Sequence, residues 1–107
     1  MTPESIPLEK LLHQISGKWT IYILYILDTN GILRFGKLRR KIDGISTKVL
    51  VERLQMLEEI GIVHRHYQPN IPPQVTYELT DRGKQLSKPL YHLCDLASDW
   101  YGDKTVM

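Results

Sequence analysis

The segment GISTKVLVERLQ, residues 44 to 55, constrains the fold more than any other part of this sequence. Leucines at helical spacing continue from it to Leu57, and at about 100° per residue they form one narrow stripe. This stripe predicts a helix that is buried along one side only. The opposite side carries a mixture that is neither a plain charged surface nor an apolar partner face: Lys48, Val51, Glu52 and Gln55.

Positive charge is concentrated around this helix. Residues 34 to 53 contain seven basic and two acidic residues, a local net charge of +5, whereas the whole chain carries +2. A local excess of this size is typical of a surface that binds phosphates, although a solvated helix face gives the same composition. The position of the charges in the fold therefore decides between these two interpretations.

Hydrophobic periodicity and turn residues predict the order of elements along the chain. The first three are a helix in LEKLLHQIS capped by Ser5, a helix in KWTIYILYIL stopped by DTNG, and a short edge strand in ILRF. Next come a two-turn helix in GKLRRKI and a helix in TKVLVERLQMLEEI that is capped by Ser46 and stopped at Gly61. A hairpin of IVHRHYQ and QVTYELT and a helix capped by Thr80 or Asp81 complete the order.

This order predicts an α+β fold that is mostly α. It corresponds to a winged helix-turn-helix with an extra helix at each end, and 107 residues suit a single domain, residues 1–107. In a helix-turn-helix, the second helix lies in the major groove of DNA and uses its N-terminal residues on base edges. The helix that follows Ser46 has that position in the order.

The residue types on its exposed side suit base reading. Lysine donates to guanine, glutamine pairs with adenine, glutamate accepts from cytosine, and small apolar groups contact the thymine methyl. A phosphate can be held by the first turn and by basic residues of the preceding segment. The candidate DNA contacts in this part of the chain are Arg34, Lys37, Arg39, Arg40, Ser46, Thr47, Lys48, Val51, Glu52 and Gln55.

Two of the charged residues on this helix have an intramolecular alternative. Glu52 follows Lys48 by four residues, a spacing at which the two side chains can pair with each other. Arg53 borders the leucine stripe, and there it can pair with a carboxylate of its own chain: Asp43, Glu58 or Glu59.

Three longer stretches, ISGKWTIYILYIL, LRFGKLRRKIDGISTKVLVERLQMLEEIGIVHR and PPQVTYELTDRGKQL, together resemble the HxlR-type transcriptional regulators, a branch of the winged-helix regulators. The resemblance covers roughly residues 7 to 100. It implies a dimeric regulator that binds double-stranded DNA, with the recognition helix starting at Ser46 and the wing in the loop from Gln68 to Gln74. The candidate contacts of the wing are Arg65, Gln68, Asn70 and Gln74.

The same resemblance implies a homodimer held by the first and last helices. The apolar stripes of these two helices give the candidate dimerisation residues: Leu8, Leu11, Leu12, Ile15, Leu90, Leu93, Ala97 and Trp100. The seam between the stripes is also the expected site of a small hydrophobic effector. Such stripes form a dimer core more often than a ligand site.

Regulators of this type commonly respond to aldehydes, quinones or oxidants, several of them through a cysteine just before the proline of the first helix. This chain has Ile6 at that position, and isoleucine cannot form the reactive thiolate. The one cysteine, Cys94, has the helical spacing of a buried, inert thiol beside Leu90 and Leu93.

Other classes of protein fit the sequence less well. It has no nucleophile elbow, glycine-rich phosphate loop or HExxH motif, so no enzyme and no cofactor are predicted. Zinc needs three or four converging ligands, whereas His64 and His66 form only a pair, and His92 and Cys94 point in different directions on a helix. A winged-helix metal or small-molecule sensor, or a protein-interaction module that does not bind DNA, are the alternatives; the basic segment disfavours the latter.

The expected location is the cytoplasm. The longest apolar run, WTIYILYIL, has about half the length that a bilayer requires. The N-terminal residues lack the basic start and apolar stretch of a secretory signal. A single cysteine excludes an internal disulfide and is compatible with a reducing compartment.

Overall fold

The computed structural model describes residues 6–102, which form five helices and a three-stranded sheet. The elements follow the predicted order, and the mostly α winged helix-turn-helix with an added helix at each end is confirmed. The helices are α1 (Ile6–Ile15), α2 (Lys18–Asn30), α3 (Phe35–Lys41), α4 (Thr47–Glu59) and α5 (Asp81–Tyr101). The strands are β1 (Leu33–Arg34), β2 (Val63–Gln68) and β3 (Gln74–Leu79).

The hydrophobic core lies where α2, α3 and α4 meet the sheet. The leucine stripe of α4 is wholly inside it, because Leu50, Leu54 and Leu57 are at most 1% exposed. Ile23 of α2 and Leu38 of α3 are equally inaccessible to solvent. Each such side chain contributes about 1.5–3 kcal/mol on burial, so this cluster fixes how the helices are rotated about their own axes.

Helix α2 is longer than its turn residues predict. The DTN of DTNG lies within the last turn, and the chain leaves the helix only at Gly31. The polar side chains of that turn bond back to its carbonyl groups: Thr29 Oγ1 donates to Tyr25 O at 3.0 Å and Asn30 Nδ2 to Ile26 O at 2.9 Å. These carbonyls lie inside the helix, so the two side chains bond to the helix itself and do not form the local turn that their types predict.

The sheet is antiparallel with the strand order β1-β3-β2, and the predicted edge strand and hairpin are both confirmed. Residues opposite each other across the hairpin run from Val63 and Leu79 to Gln68 and Gln74. Alternate residues of a strand point to opposite faces. One face of the hairpin therefore carries the core residues Val63, Tyr77 and Leu79, and the other is directed to solvent.

One threonine fastens the start of α5 to the end of α4. The Thr80 hydroxyl accepts from the Gly83 N–H at 3.1 Å and donates to Gly61 O at 2.5 Å. Gly61 has a φ of 79°, as expected of the glycine that ends α4, and the Ile62 N–H bonds back to Leu57 O at 2.9 Å. Of the two predicted caps for α5, Thr80 is thus the one used; the predicted Ser5 cap of α1 lies outside the described residues.

No helix in the described part of the chain combines the length and the apolar character that crossing a membrane requires.

Gly83 allows α5 to start against Ile62, the residue before β2, which gives a test of this corner. A Cβ at this position would collide with Ile62 O, a carbonyl that already accepts from the Thr80 N–H at 3.0 Å and cannot easily move. Alanine gains about 1 kcal/mol of helix propensity over glycine, but overpacking against backbone costs about 1–3 kcal/mol. We expect Gly83→Ala to lower the thermal midpoint of unfolding, and Lys84→Ala, at the exposed next position, to leave it unchanged. A Gly83→Ala protein at least as stable as the native one would contradict this close contact.

Candidate nucleic-acid interface

The helix-turn-helix consists of α3, the turn 42–46 and α4. Ser46 caps α4 as predicted, because its hydroxyl accepts from the Val49 N–H at 3.1 Å. Ile42 and Ile45 anchor the turn in the core, whereas Ser46 and Thr47 are exposed. The free N–H groups of the first turn of α4 and two hydroxyl groups thus point to solvent together, an arrangement that suits an anion.

The side of α4 turned away from the leucines is open to solvent. Lys48, Glu52 and Gln55 are exposed, and Val51 has 38% of its surface accessible. Glu52 forms no ion pair with Lys48, and Arg53, half-buried near Gly17, pairs with no carboxylate of residues 6–102. The exposed face therefore keeps its donors and acceptors available for another molecule.

The basic residues before α4 form an exposed surface on α3 and β1. Helix α3 has no acidic residue in its first turn, and Arg39, Arg40 and Lys41 fill its last turn. Arg34, Lys37 and Arg40 line an open concavity of about 730 Å³ together with Thr76, the partner of Arg34 across the sheet. Within residues 6–102 none of these cations has a carboxylate within 4.0 Å. Like charges gathered without counter-charges attract a polyanion.

The predicted wing residues lie on two faces of the hairpin. Arg65 shares a face with Tyr77, so it points toward α4 and lines a concavity of about 410 Å³ with Val51 and Gln55. Gln68 and Gln74 face each other on the opposite side of the hairpin, at its last pair before the tip. In the tip itself, Asn70 Nδ2 approaches Gln68 Oε1 at 3.5 Å. The structure thus brings Arg65 to α4 and separates it from the amides of Gln68 and Gln74.

Two residues of this surface escaped the sequence analysis. Tyr67 is 55% exposed and lies on the same face as Arg65, whose guanidinium is 5.8 Å from the ring centroid. The alternation of side chains along a strand is enough to predict that Tyr67 lies beside Arg65. Glu58 also lines the concavity between α4 and the hairpin, and it supplies negative charge that no spacing rule relates to Arg65.

The paired histidines of β2 belong to the outer face of the hairpin. The rings of His64 and His66 are 4.1 Å apart, and His66 Nε2 lies 2.8 Å from Glu78 Oε1. This is the one salt bridge among residues 6–102, and it needs a protonated imidazole. No group of three or more His, Cys, Asp and Glu in that range could hold a metal ion.

The terminal helices divide their apolar residues between the core and solvent. Ile15 is only 7% exposed, and Leu90 packs against the core, so these two predicted dimerisation residues have little surface left for a partner. Leu11 is half-buried. The remaining predicted residues are exposed: Leu8 at 56%, Leu12 at 52%, Leu93 at 61%, Trp100 at 69%, and also Ala97. Leu96 and Tyr101 of α5 are exposed as well.

An open groove of about 460 Å³ separates α1 from the first half of α5. Its walls are mixed: Leu11, Leu86 and Ile62 are apolar, whereas Lys10 and Arg82 are basic. This groove occupies part of the seam in which the sequence predicts an effector.

Cys94 lines a smaller, mostly apolar cavity between α2 and α5, and it is half-buried rather than fully enclosed. The neighbouring Tyr91 hydroxyl donates to Asp28 Oδ2 at 2.5 Å. Burial, and then this hydrogen bond, raise the pKa of the Tyr91 phenol well above its ordinary value. The phenol therefore remains a donor over the whole physiological pH range and ties α5 to α2.

An exposed helix-turn-helix face, unpaired cations beside it and a β-hairpin wing define the class of winged-helix transcriptional regulators. Within this class the chain belongs to the HxlR-like helix-turn-helix family, whose model matches residues 14–105. One relative, from Escherichia coli, is named as the uncharacterized HTH-type transcriptional regulator YtfH. It is 40% identical over 92 residues, which are 86% of this chain and 72% of that protein.

Solved structures share the fold. A MarR-family transcriptional regulator from Enterococcus faecalis superimposes with a TM-score of 0.82 at 35% identity, covering 94% of this chain and 90% of that one. The redox regulator HypR in its reduced form gives a TM-score of 0.80 at 33% identity, covering 91% of this chain and 94% of its own.

Proposed function

We propose that this chain is a sequence-specific, DNA-binding transcriptional regulator that acts as a homodimer in the cytoplasm, each protomer providing one DNA-binding domain. The observation that carries the proposal is the exposed side of α4, which is free of intramolecular ion pairs among residues 6–102 and is flanked by the cations of α3 and β1. The family membership supports the same conclusion.

In this proposal α4 enters the major groove and reads bases with the exposed side that runs from Thr47 to Gln55. Lys48 donates to guanine O6 or N7, Gln55 pairs with adenine, and Glu52 accepts from cytosine N4. Val51 and Thr47 contact thymine methyl groups. The exposure of Lys48, Val51, Glu52 and Gln55 on one side of the helix supports this arrangement, because side chains on one side can reach neighbouring base pairs together.

The backbone of the duplex is held by the residues around α4. Ser46 and the free N–H groups of the first turn bind one phosphate, and the cations of α3 and β1 bind others along the strand. Arg65 contacts the backbone from the hairpin side. These contacts set the register and contribute affinity for any sequence: Arg34, Lys37, Arg39, Arg40, Ser46 and Arg65.

The exposed apolar residues at the ends of α1 and α5 form the dimer interface of the proposed regulator. Trp100 is the largest among them, and aromatic residues contribute most to interfaces of this kind. A two-fold dimer reads a pseudo-palindrome whose half-site centres are one helical turn, about 34–36 Å, or a multiple of it apart. Leu8, Leu12 and Ala97, which are also exposed, complete the proposed contact.

We assign a small hydrophobic effector to the groove between α1 and α5. Its volume of about 460 Å³ is within the range of ligand pockets, and it adjoins the proposed dimerisation helices. HypR is named a redox regulator. We do not extend that role to this chain, because it has Ile6 before the proline of α1, and its one cysteine is half-buried in α5.

Replacing Gln55 by alanine tests base reading. A good bidentate contact is worth about 1–3 kcal/mol, so we expect the affinity for the best duplex selected from random sequences to fall about tenfold or more, with affinity for unrelated DNA unchanged. Fluorescence anisotropy with both duplexes measures this. Gln85→Ala, an exposed glutamine of α5, serves as the control and should behave as wild type. Equal losses on both duplexes would show that Gln55 does not read bases.

Replacing Arg39 by alanine tests the phosphate contacts. We expect weaker binding to every sequence and a salt dependence whose logarithmic slope is smaller by about one, because one fewer counterion is released. Lys88→Ala removes one exposed cation from α5 and provides the matched control. An unchanged slope for Arg39→Ala would exclude this residue from the DNA surface.

Replacing Trp100 by alanine tests the dimer. Truncating a central aromatic residue costs about 2 kcal/mol or more, so the dimer dissociation constant should rise about thirtyfold. Sedimentation velocity over a concentration series measures it. Ile32→Ala, another half-exposed apolar residue but remote on the β1 side, should leave the constant as it is. If Trp100→Ala and wild-type protein dissociate alike, the terminal helices do not form the interface in this way.

A further inference from the structure

The tip of the hairpin presents an apolar side chain that the contacts proposed so far do not use. Ile71 is 102% exposed, more than any other large apolar residue in the described part of the chain. An isolated exposed isoleucine is common on protein surfaces, so exposure alone carries no function. The residues around Ile71 are the evidence for a function.

The first argument is electrostatic. From Tyr67 to Tyr77 the sequence YQPNIPPQVTY contains no Lys, Arg, Asp or Glu, and the nearest such residues on the two strands are Arg65 and Glu78. A wing that only rested on the phosphates would gain by neutralising them, and an uncharged tip cannot do so. The tip is therefore better suited to the interior of a groove than to its phosphate rim.

The second argument is the chemistry beside Ile71. Asn70 and the facing amides of Gln68 and Gln74 offer both donors and acceptors, which match the acceptors and the guanine amino group on the floor of the minor groove. Pro69, Pro72 and Pro73 fix their own backbone angles and remove three donors, so little conformational freedom is lost when the tip is enclosed.

The third argument is reach. Arg65 lies beside the recognition helix, and three strand residues carry the chain about 10 Å from there to Gln68. The three further residues to Ile71 add at most about 10 Å. The minor groove next to an occupied major groove is about 17 Å away, half a helical turn along the axis. A tip 10–20 Å beyond Arg65 spans this distance, by the same estimate of about 3.3 Å per residue.

We infer that the wing tip enters the minor groove of the bound duplex as an uncharged wedge, with Ile71 packing against a base step and bending the DNA there. The inference rests on the proposed function and adds to it a residue that deforms the DNA. Apolar side chains in the minor groove open base steps and kink the duplex toward the major groove. Pyrimidine–purine steps open most easily, so the flanks of the operator should favour them and thereby gain specificity without base contacts in the major groove.

The experiment uses the full chain and the best duplex selected from random sequences, labelled with a donor and an acceptor fluorophore at its two ends. Energy transfer reports bending, and anisotropy on the same samples reports binding. Ile71→Ser removes the apolar group, and Ile71→Leu keeps it. Because Ile71 is fully exposed, both variants should unfold at the temperature of the wild type.

We expect wild type and Ile71→Leu to shorten the end-to-end distance of the duplex. Ile71→Ser should lose at least half of that change and bind about tenfold more weakly, the factor expected when one aliphatic side chain is no longer buried, with the same salt slope. Moving the flanking pyrimidine–purine step should weaken the wild type more than Ile71→Ser. Bending by Ile71→Ser equal to wild type, or tight binding by wild type without bending, would overturn the wedge and leave the proposed function intact. Failure of the wild type to bind any duplex would overturn both.

Discussion

The burial of Leu50, Leu54 and Leu57 in a core shared with α2 and α3 fixes the rotation of α4 about its own axis. Together these side chains contribute about 5–9 kcal/mol on burial, which is comparable to the net stability of a small domain. A slip of the stripe by one residue would turn the helix by about 100° and carry Gln55 toward the interior. The chemistry displayed to solvent is thus set by the residues that solvent never contacts.

Those leucines are also the reason why much of the fold could be predicted from the sequence. Helical periodicity, alternation in the hairpin and the glycine at position 61 each act locally, and each predicted element is present. The division of the terminal stripes was not predictable in the same way. A stripe shows that Ile15 and Trp100 each lie on the apolar side of a helix, but it does not show which of them the chain itself covers. In the folded chain Ile15 is 7% exposed and Trp100 is 69% exposed.

The candidate site likewise has one part that the sequence predicts and one part that depends on the folded chain. The exposed side of α4 followed from a helical wheel, whereas the side of the hairpin that faces α4 depends on strand register and on the twist of the sheet. Alternation along the strand puts Arg65 and Gln68 on opposite faces, but only the packing of the hairpin shows which of the two faces lies against α4. For the basic segment, the sequence predicted only the local net charge. That the cations of α3 find no carboxylate within residues 6–102 is a property of the folded chain, and their mutual repulsion is tolerated because salt screens it over about 8 Å.

The hydroxyl of Thr80 joins the end of α4, the first residues after it and the start of α5. Three parts of the fold therefore meet at this corner: α4, the hairpin of β2 and β3, and α5. Over its 21 residues α5 extends about 30 Å from this corner. A change of about 10° in the direction of α5 relative to α4 therefore moves the far end of α5 by about 5 Å. In the proposed dimer, the angle at which the two α5 helices cross therefore sets the distance between the two α4 helices.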